Sequence, residues 1–338
     1  ASYKGQKYEK AVVTKIIKDN LAEDGSRYGT QKVLVKMTTG TYKGKEKQAI
    51  NPSGTLFGAD CKVGARIIVI VNKSGTNTGF TVYSQDRTMA IYGFALIFAA
   101  VVCAIGGKKG VYAILSLVFA FACIIGIMFP MMYRGISPIV LTIIVAVLTT
   151  IVTLGLLGGY SSKTVSAILG TAIGVVIAAV AAMAFGKAAG ITGYNVSDIE
   201  ALNYVGQNTK IKIGELLFAG IIISALGAVM DVGMSIASTI QEIYETDKTL
   251  SMKRLFVSGI NVGRDMMGTM TNTLIFAYVG GAMTTLVINY AYDLSYRQLA
   301  NSYVIGIEIM QGLSGSLGVV LTVPITALIA SFLAVRKK

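Results

Sequence analysis

The sequence contains no histidine and no tryptophan, and only three cysteines and four prolines among 338 residues. Without histidine, Ser-His-Asp and Cys-His catalytic arrangements are excluded, as are metal sites that need imidazole ligands. Cys61, Cys103 and Cys123 are scattered and form neither a CxxC pair nor a disulfide framework. The sequence therefore predicts no metal, no cofactor and no enzymatic activity.

Charge is also scarce, because only 14% of the residues are charged while 54% are hydrophobic. Long apolar runs fill residues 88–338, a composition typical of polytopic membrane proteins. The formal net charge of +13 does not indicate a nucleic-acid partner. The basic residues divide between residues 1–87 and short inter-helix loops, and no nucleic-acid-binding motif accompanies them. The predicted surroundings are a lipid bilayer.

Residues 1–87 are polar and rich in short β-branched runs bounded by turn residues. Five strands are predicted, from the runs EKAVVTKII, QKVLVKMTT, KEKQAI, ARIIVIVN and GFTVYS. Five short strands in so few residues predict a small barrel of OB or SH3-like type. The segments TTGTYKGK and NKSGTNTG are predicted hairpin loops.

The rest of the chain is predicted to be an α-helical membrane domain with seven spans. Their approximate limits are 88–106, 111–130, 137–158, 163–186, 214–240, 266–289 and 313–335. Basic loops after the first, third, fifth and last spans indicate a cytoplasmic C-terminus. Residues 1–87 then lie outside the cytoplasm. Because such a domain needs an export signal, another hydrophobic segment is predicted before Ala1, either a cleaved signal or an eighth helix.

The fifth predicted span contains a carboxylate, Asp231, near its middle. Small and polar residues recur around it at three- and four-residue spacing and share one helix face: Ser224, Gly227, Ser235, Ser238 and Glu242. With Glu242 at the cytoplasmic surface, Asp231 lies about 16 Å inside the bilayer. A charged group there costs on the order of 3 kcal/mol, which indicates a proton or cation site. The alternative is a purely structural role, in which the protonated Asp231 side chain forms a hydrogen bond to a neighbouring helix.

The sixth predicted span carries the polar residues expected to surround Asp231. Asn272 is the predicted partner, flanked by Thr271 and Thr273. Arg264 and Asp265 are placed at the cytoplasmic start of this span, as an anchor and a helix-dipole carboxylate or as gate residues. Before the last span, Glu308 and Gln311 are predicted near the outer boundary, as an ion exit or as solvated loop residues.

Three segments resemble the YibE/F-like family of bacterial multi-pass membrane proteins. They are SALGAVMDVGMSIASTIQEI, NVGRDMMGTMTNTLIFAYVGG and GLSGSLGVVLTVPITALIA. The resemblance is taken to run from the barrel to the C-terminus. It implies a bacterial plasma membrane location and a homo-oligomer or a related membrane subunit as partner. A more distant likeness, to the proton-driven core of SecD and RND transporters, implies that Asp231 is the protonated carboxylate.

Four functions remain open from the sequence. The leading hypothesis is an ion-coupled transporter or export factor powered through Asp231. A second is a non-transporting scaffold or receptor that presents the barrel to partners. An intramembrane aspartyl protease using Asp231 and Asp265 is disfavoured, because their predicted depths differ by about 16 Å. A channel would need a homo-oligomer to supply its filter.

Overall fold

A computed structural model of the chain describes residues 6–21, 29–52, 58–74, 77–159, 161–196 and 198–336. The chain forms two compact units, Ala1–Val101 and Val102–Lys338. The first contains five strands and the beginning of the first helix, and the second contains the other helices. The predicted combination of a small barrel with apolar helices is confirmed.

All five predicted strands are present, and they close into a barrel. Their limits are β1 Gln6–Lys18, β2 Gln31–Met37, β3 Glu46–Asn51, β4 Arg66–Ser74 and β5 Asn77–Gln85. The strand order is β1-β2-β3-β5-β4, with β1 antiparallel to β4 and β3 parallel to β5. This order is that of the OB fold, which selects one of the two predicted barrel types.

The barrel interior follows from strict alternation along the strands. In β2, Val33, Val35 and Met37 are buried and the residues between them point outward or lie at the edge. The β2–β3 hairpin confirms the predicted TTGTYKGK loop, because Gly44 N–H donates to the Met37 carbonyl at 2.8 Å. The predicted NKSGTNTG loop includes residues 75 and 76, which lie outside the described residues.

Two amides, Gln31 and Asn51, are fully buried inside this otherwise apolar barrel. Asn51 Nδ2 donates to Gln31 Oε1 at 3.0 Å and to the Ala59 carbonyl at 2.7 Å. Gln31 Nε2 in turn donates to the Cys61 carbonyl at 3.2 Å. Since a buried amide without partners is costly, these bonds hold the 59–61 segment against the strands.

Asp86 joins the barrel to the first helix within the first unit. Its Oδ1 accepts from Thr88 N–H at 3.1 Å, and its Oδ2 lies 3.0 Å from Lys10 Nζ on β1. The Thr88 side chain and then Lys10 hydrogen-bond to the charged form and lower the pKa of Asp86 from 3.8 to about 2. A single carboxylate thus satisfies the helix start and pairs with a strand.

The first helix, α1 (Thr88–Cys123), contains a sharp turn at Gly107, where φ is 52° and ψ is −131°. A Cβ added at Gly110 would collide with the Val102 carbonyl oxygen. In a straight helix these two residues would lie about 12 Å apart, so the chain turns back at Gly107. Only glycine adopts this backbone conformation without strain. The predicted spans 88–106 and 111–130 lie on either side of the turn.

The other helices complete the membrane unit. After α1 come a π-helical turn Ile124–Met128, α2 Phe129–Tyr133, α3 Pro138–Gly158, α4 Ser162–Ala189, α5 Ile199–Asn208, a 3-10 turn Ile213–Glu215, α6 Leu216–Thr246, α7 Met252–Gly281, α8 Met283–Ala291, α9 Tyr296–Ala300 and α10 Tyr303–Arg336. In the described part of the chain, five stretches are long and apolar enough to cross a membrane. A sixth results if α7 and α8, which meet at a 60° bend, form one span. The predicted number of seven therefore stays a prediction.

Two helices begin earlier than predicted. The sixth span was predicted from residue 266, but α7 already starts at Met252, so residues 252–265 are the first part of this helix. Its charged residues lie on the exposed side while Leu255, Gly259 and Gly263 are buried, which is why its composition resembled a surface helix. Likewise, α10 starts at Tyr303 instead of near residue 313.

The core of the membrane unit is formed by α4, α6, α7 and α10, which pack closely through small residues. A Cβ added at Gly318 of α10 would lie 2.9 Å from both the Gly174 carbonyl oxygen and the Ala178 Cβ of α4. The backbones of α4 and α10 are therefore in contact, as is typical of helix pairs in membranes. This packing fixes which face of α6 points inward.

Candidate functional site on α6 and α7

The polar stripe predicted on α6 is present, and it faces away from the protein core. Asp231 lies at the centre of the helix, fifteen residues from Leu216 and fifteen from Thr246. It is exposed, as are Gly220, Ser224, Gly227 and Glu242 on the same face. The opposite face is buried and apolar, with Ile222, Val229, Ile236 and Ile240 at its centre. Among the described residues, no hydrogen bond or ion pair joins Asp231 to another side chain.

The register between α6 and α7 follows from two close contacts. A Cβ at Gly259 would lie 2.7 Å from the Ile240 Cδ1, and a Cβ at Gly263 would lie 3.1 Å from the Ile236 Cδ1. The residue numbers increase on α7 while they decrease on α6, so the two helices are antiparallel. Residues of α6 and α7 that lie at the same level therefore have residue numbers that sum to about 499, as 259 and 240 do.

This register corrects the predicted depths of Arg264 and Asp265. Neither lies at a helix start, because α7 begins at Met252. Arg264 is level with Ser235, which is seven residues, or about 10 Å, inward from Glu242. Both Arg264 and Asp265 are exposed, and in the described part of the chain neither forms an ion pair.

The depth argument against an aspartyl protease is therefore wrong. Asp231 is nine residues from Ile240, and Asp265 is six residues from Gly259, which lies beside Ile240. At about 1.5 Å per residue the two carboxylates differ in depth by about 4.5 Å instead of 16 Å. What still disfavours an acid–base pair is that no hydrogen bond joins them in the described residues, and that the G-x-G-D context is missing.

The predicted partners of Asp231 on α7 are not bound to it. Asn272 is exposed and level with Gly227, about 6 Å nearer the outer end than Asp231. Thr273 Oγ1 donates to the Thr269 carbonyl at 2.9 Å. Thr271 is half-buried, and its hydroxyl has no partner among the described residues. The antiparallel register thus puts the polar residues of α6 and α7 at similar depths, and among the described residues no hydrogen bond joins those of α7 to Asp231.

The remaining predicted residues on α6 have local bonds. Ser224 Oγ donates to the Ile221 carbonyl at 2.9 Å, and the Ser235 carbonyl accepts from Thr239 Oγ1 at 2.9 Å. Ser235 itself is half-buried. The Ser224 hydroxyl therefore bonds within its own helix, and among the described residues no hydrogen bond joins Ser224 or Ser235 to Asp231.

Tyr278 of α7 is a residue that the sequence reasoning missed. Its hydroxyl donates to Ser224 Oγ at 2.9 Å, which links α7 to α6. Its ring lies against α10, where a Cβ at Gly312 would meet the Tyr278 ring at 3.7 Å. Nothing near Tyr278 in sequence marks it, because the space for its ring comes from a glycine more than thirty residues away.

Glu308 and Gln311 lie inside α10, whereas the sequence placed them before the last span. Both are half-buried. Glu308 lines a cavity of about 250 Å³ between α10 and the bent α7–α8 pair. The other lining residues are mostly apolar and include Ile275, Tyr278, Ala282, Gly312 and Leu313. Glu308 is thus part of a helix facing an apolar cavity and is not a solvated loop residue.

In the part of the chain that the structure describes, no three carboxylate or cysteine side chains lie close enough together to hold a metal ion. The groups available for chemistry at mid-membrane depth are Asp231, Asp265, Arg264 and the hydroxyl and amide groups of α7.

The family model described as YibE/F-like protein matches residues 94–336 of this sequence. The chain belongs to the YibE/F-like family. The match includes α6, α7 and α10 and starts within α1, so it covers the candidate site but not the barrel, which the sequence resemblance had included. No curated protein and no solved structure matches the chain. The likeness to SecD and RND transporters therefore remains a hypothesis.

Proposed function

We propose that this YibE/F-like membrane protein is an ion-coupled transporter or export factor of the bacterial plasma membrane, with the proton as coupling ion and Asp231 as the coupling carboxylate. The observation that carries the proposal is the place of Asp231. It lies at the middle of a helix long and apolar enough to cross a membrane. It is also exposed on that helix and has no ionic partner among the described residues.

The cost of such a residue supports a function. An ionisable group at mid-bilayer costs about 3 kcal/mol on insertion scales, and a chain that needed only a helix contact has cheaper choices in serine or glycine. Because water is absent from lipid, Asp231 must face a wet cavity or another protein surface. A carboxylate that alternates between these surroundings and water takes up a proton on one side and releases it on the other.

The orientation follows from the loop charges. Lys248 lies between α6 and α7, Lys253 and Arg254 lie in the first turn of α7, and Arg336 ends α10. The positive-inside rule assigns these ends to the cytoplasm and the outer end of α10 to the opposite side. Glu308 lies near that outer end and is then an accessory group on the path of the coupling ion to the outside. Gln311 lies about one helical turn deeper. The barrel is assigned to the outside.

The test is voltage-driven proton uptake into proteoliposomes containing the full chain. Wild type is expected to take up protons, and Asp231→Asn is expected to lose the uptake while still inserting and folding. Glu242→Gln is the matched control, since it removes a carboxylate from the same face at the helix end. Uptake by Asp231→Asn at the wild-type rate would reject the proposal.

A second candidate, a non-transporting scaffold or receptor, is favoured by the barrel. OB folds commonly bind other molecules through their open faces and loops. This barrel exposes a cavity of about 150 Å³ that Glu9, Tyr42 and Lys73 help to line. In that case Asp231 only stabilises helix packing. Asp231→Asn would then lower the melting temperature of the protein, and no condition would produce a proton flux.

A further inference from the structure

The exposed face of α6 and α7 has a composition that lipid does not tolerate. On α6 it contains Asp231 among small residues, and on α7 it contains two charges and three further polar groups. The exposed polar and glycine residues of this face are Gly220, Ser224, Gly227, Asp231, Arg264, Asp265, Gly268, Thr269, Asn272 and Thr273. We call it the α6–α7 face. Hydrocarbon offers no hydrogen bonds to such groups, so another surface must cover them.

The face also allows close approach by a second helix. A Cβ added at Gly220, Gly227 or Gly268 would meet no atom within 4 Å. These glycines therefore do not serve packing inside the chain, in contrast to Gly318. Small residues on an exposed membrane helix face permit backbone contact with a neighbouring helix.

The charges of Asp231 and Arg264 indicate what kind of surface covers the α6–α7 face. Asp231 and Arg264 have opposite charge, and neither has an ion-pair partner within the described part of the chain. Arg264 is level with Ser235, four residues from Asp231, so the two differ in depth by about 6 Å. An extended arginine side chain spans that distance, and arginine is well suited to bidentate pairing with a carboxylate.

Symmetry makes a second copy complementary to the first. Two copies with the same orientation in the membrane are related by an axis along the membrane normal, which keeps every residue at its depth. With that axis between α6 and α7, each α6 faces the other copy's α7. Asp231 then meets the partner's Arg264, and the same pair forms twice.

We propose that the protein is a homodimer built on the α6–α7 face, in which Asp231 of each chain pairs with the partner subunit's Arg264 inside the membrane. The dimer does not rest on the proposed transport, because these charges need a cover whether or not Asp231 carries protons. A nearby arginine favours the ionised form of Asp231, so in a transporting dimer this pair opens when Asp231 takes up a proton. If the protein proves to be monomeric, the transport proposal still stands. If no proton transport is found, the dimer proposal still stands.

The test is the number of chains per complex in lipid vesicles, counted by photobleaching of one fluorophore fused to each C-terminus. Wild type is expected to bleach in two steps. Asp231→Arg, which opposes two arginines, is expected to weaken the dimer at least tenfold. The double exchange Asp231→Arg with Arg264→Asp restores the pair and the two steps. Glu242→Arg, at the end of the same helix face, is the control and should remain dimeric.

A second measurement does not depend on the charge variants folding. Chains with Gly227→Cys are co-expressed with chains carrying Asn272→Cys, which lies at the same depth, in a background without the three native cysteines. A disulfide between the two chains is expected, whereas Gly227→Cys with Gly280→Cys, about 12 Å apart in depth, should give none. Each of three results would overturn the proposal: wild type that bleaches in a single step, an Asp231→Arg dimer as tight as wild type, or the absence of the cross-link. Single-step bleaching would point to a related membrane chain as the partner that covers the face.

Discussion

Asp86 provides the most quantitative prediction, because its pKa is lowered by contacts with two identified residues, Thr88 and Lys10. The pKa falls from 3.8 to about 2 through the Thr88 side chain, Lys10 and the Thr88 N–H. At 1.36 kcal/mol per pKa unit, a fall of about 1.8 units corresponds to at most about 2.4 kcal/mol of barrel stability. The Asp86 side chain is 6% exposed but that of Lys10 is 42% exposed. Solvent screens the Lys10 pair, so we expect about 1–2 kcal/mol.

The sign of the pH dependence follows from the direction of the shift. Since the pKa of Asp86 is lower in the folded protein, its contribution is complete above about pH 4 and is lost as the pH falls towards 2. In Asp86→Asn, the amide oxygen still accepts from Thr88 N–H, so this variant loses the charge and keeps the helix cap. Asp86→Ala loses both and should be less stable than Asp86→Asn.

The assay is amide hydrogen exchange of β1 and β4 in the full-length protein, with each rate referred to an unstructured peptide at the same pH. The free energy of opening should fall by about 1–2 kcal/mol in Asp86→Asn at pH 7 and hardly at all at pH 2. Equal protection in wild type and Asp86→Asn at pH 7 would refute the assignment of this carboxylate as the link between β1 and α1.

Three further predictions concern the membrane unit, each measured as the free energy of unfolding in detergent micelles. Gly107→Ala should destabilise by about 1–3 kcal/mol, because its backbone conformation suits only glycine, while Gly106→Ala should have little effect. Gly318→Ala should cost about 1–3 kcal/mol by forcing α4 and α10 apart, and an unchanged stability would contradict the close backbone contact. Tyr278→Phe should cost about 0.6–1 kcal/mol through loss of its bond to Ser224, and no change would mean that this bond does not hold α6 to α7.

The barrel was predictable because its strands are local patterns. Each β-branched run is bounded by turn residues, so the five strands follow from nearest neighbours in sequence. The choice of the OB order was not predictable in this way. It depends on the parallel contact of Ile50 with Thr81 and on closure by β1 and β4, which are contacts between distant residues.

The sequence predicted which residues of α6 belong to the candidate site, but it did not predict what those residues face or how α7 lies beside them. Spacing of three and four residues showed that Ser224, Gly227 and Asp231 share a face, but periodicity does not tell what that face contacts. The true start of α7 was missed because Lys253 and Arg254 resemble a surface helix. That error displaced Arg264 and Asp265 towards the cytoplasm and produced the wrong depth for the second carboxylate.

The account depends most directly on the role of Asp231 in coupling. Proton uptake into proteoliposomes under an imposed membrane voltage measures that role in wild type, Asp231→Asn and Glu242→Gln. We expect uptake in wild type and Glu242→Gln and none in Asp231→Asn, at equal content of folded protein in the vesicles. Uptake by Asp231→Asn at the wild-type rate would contradict the account.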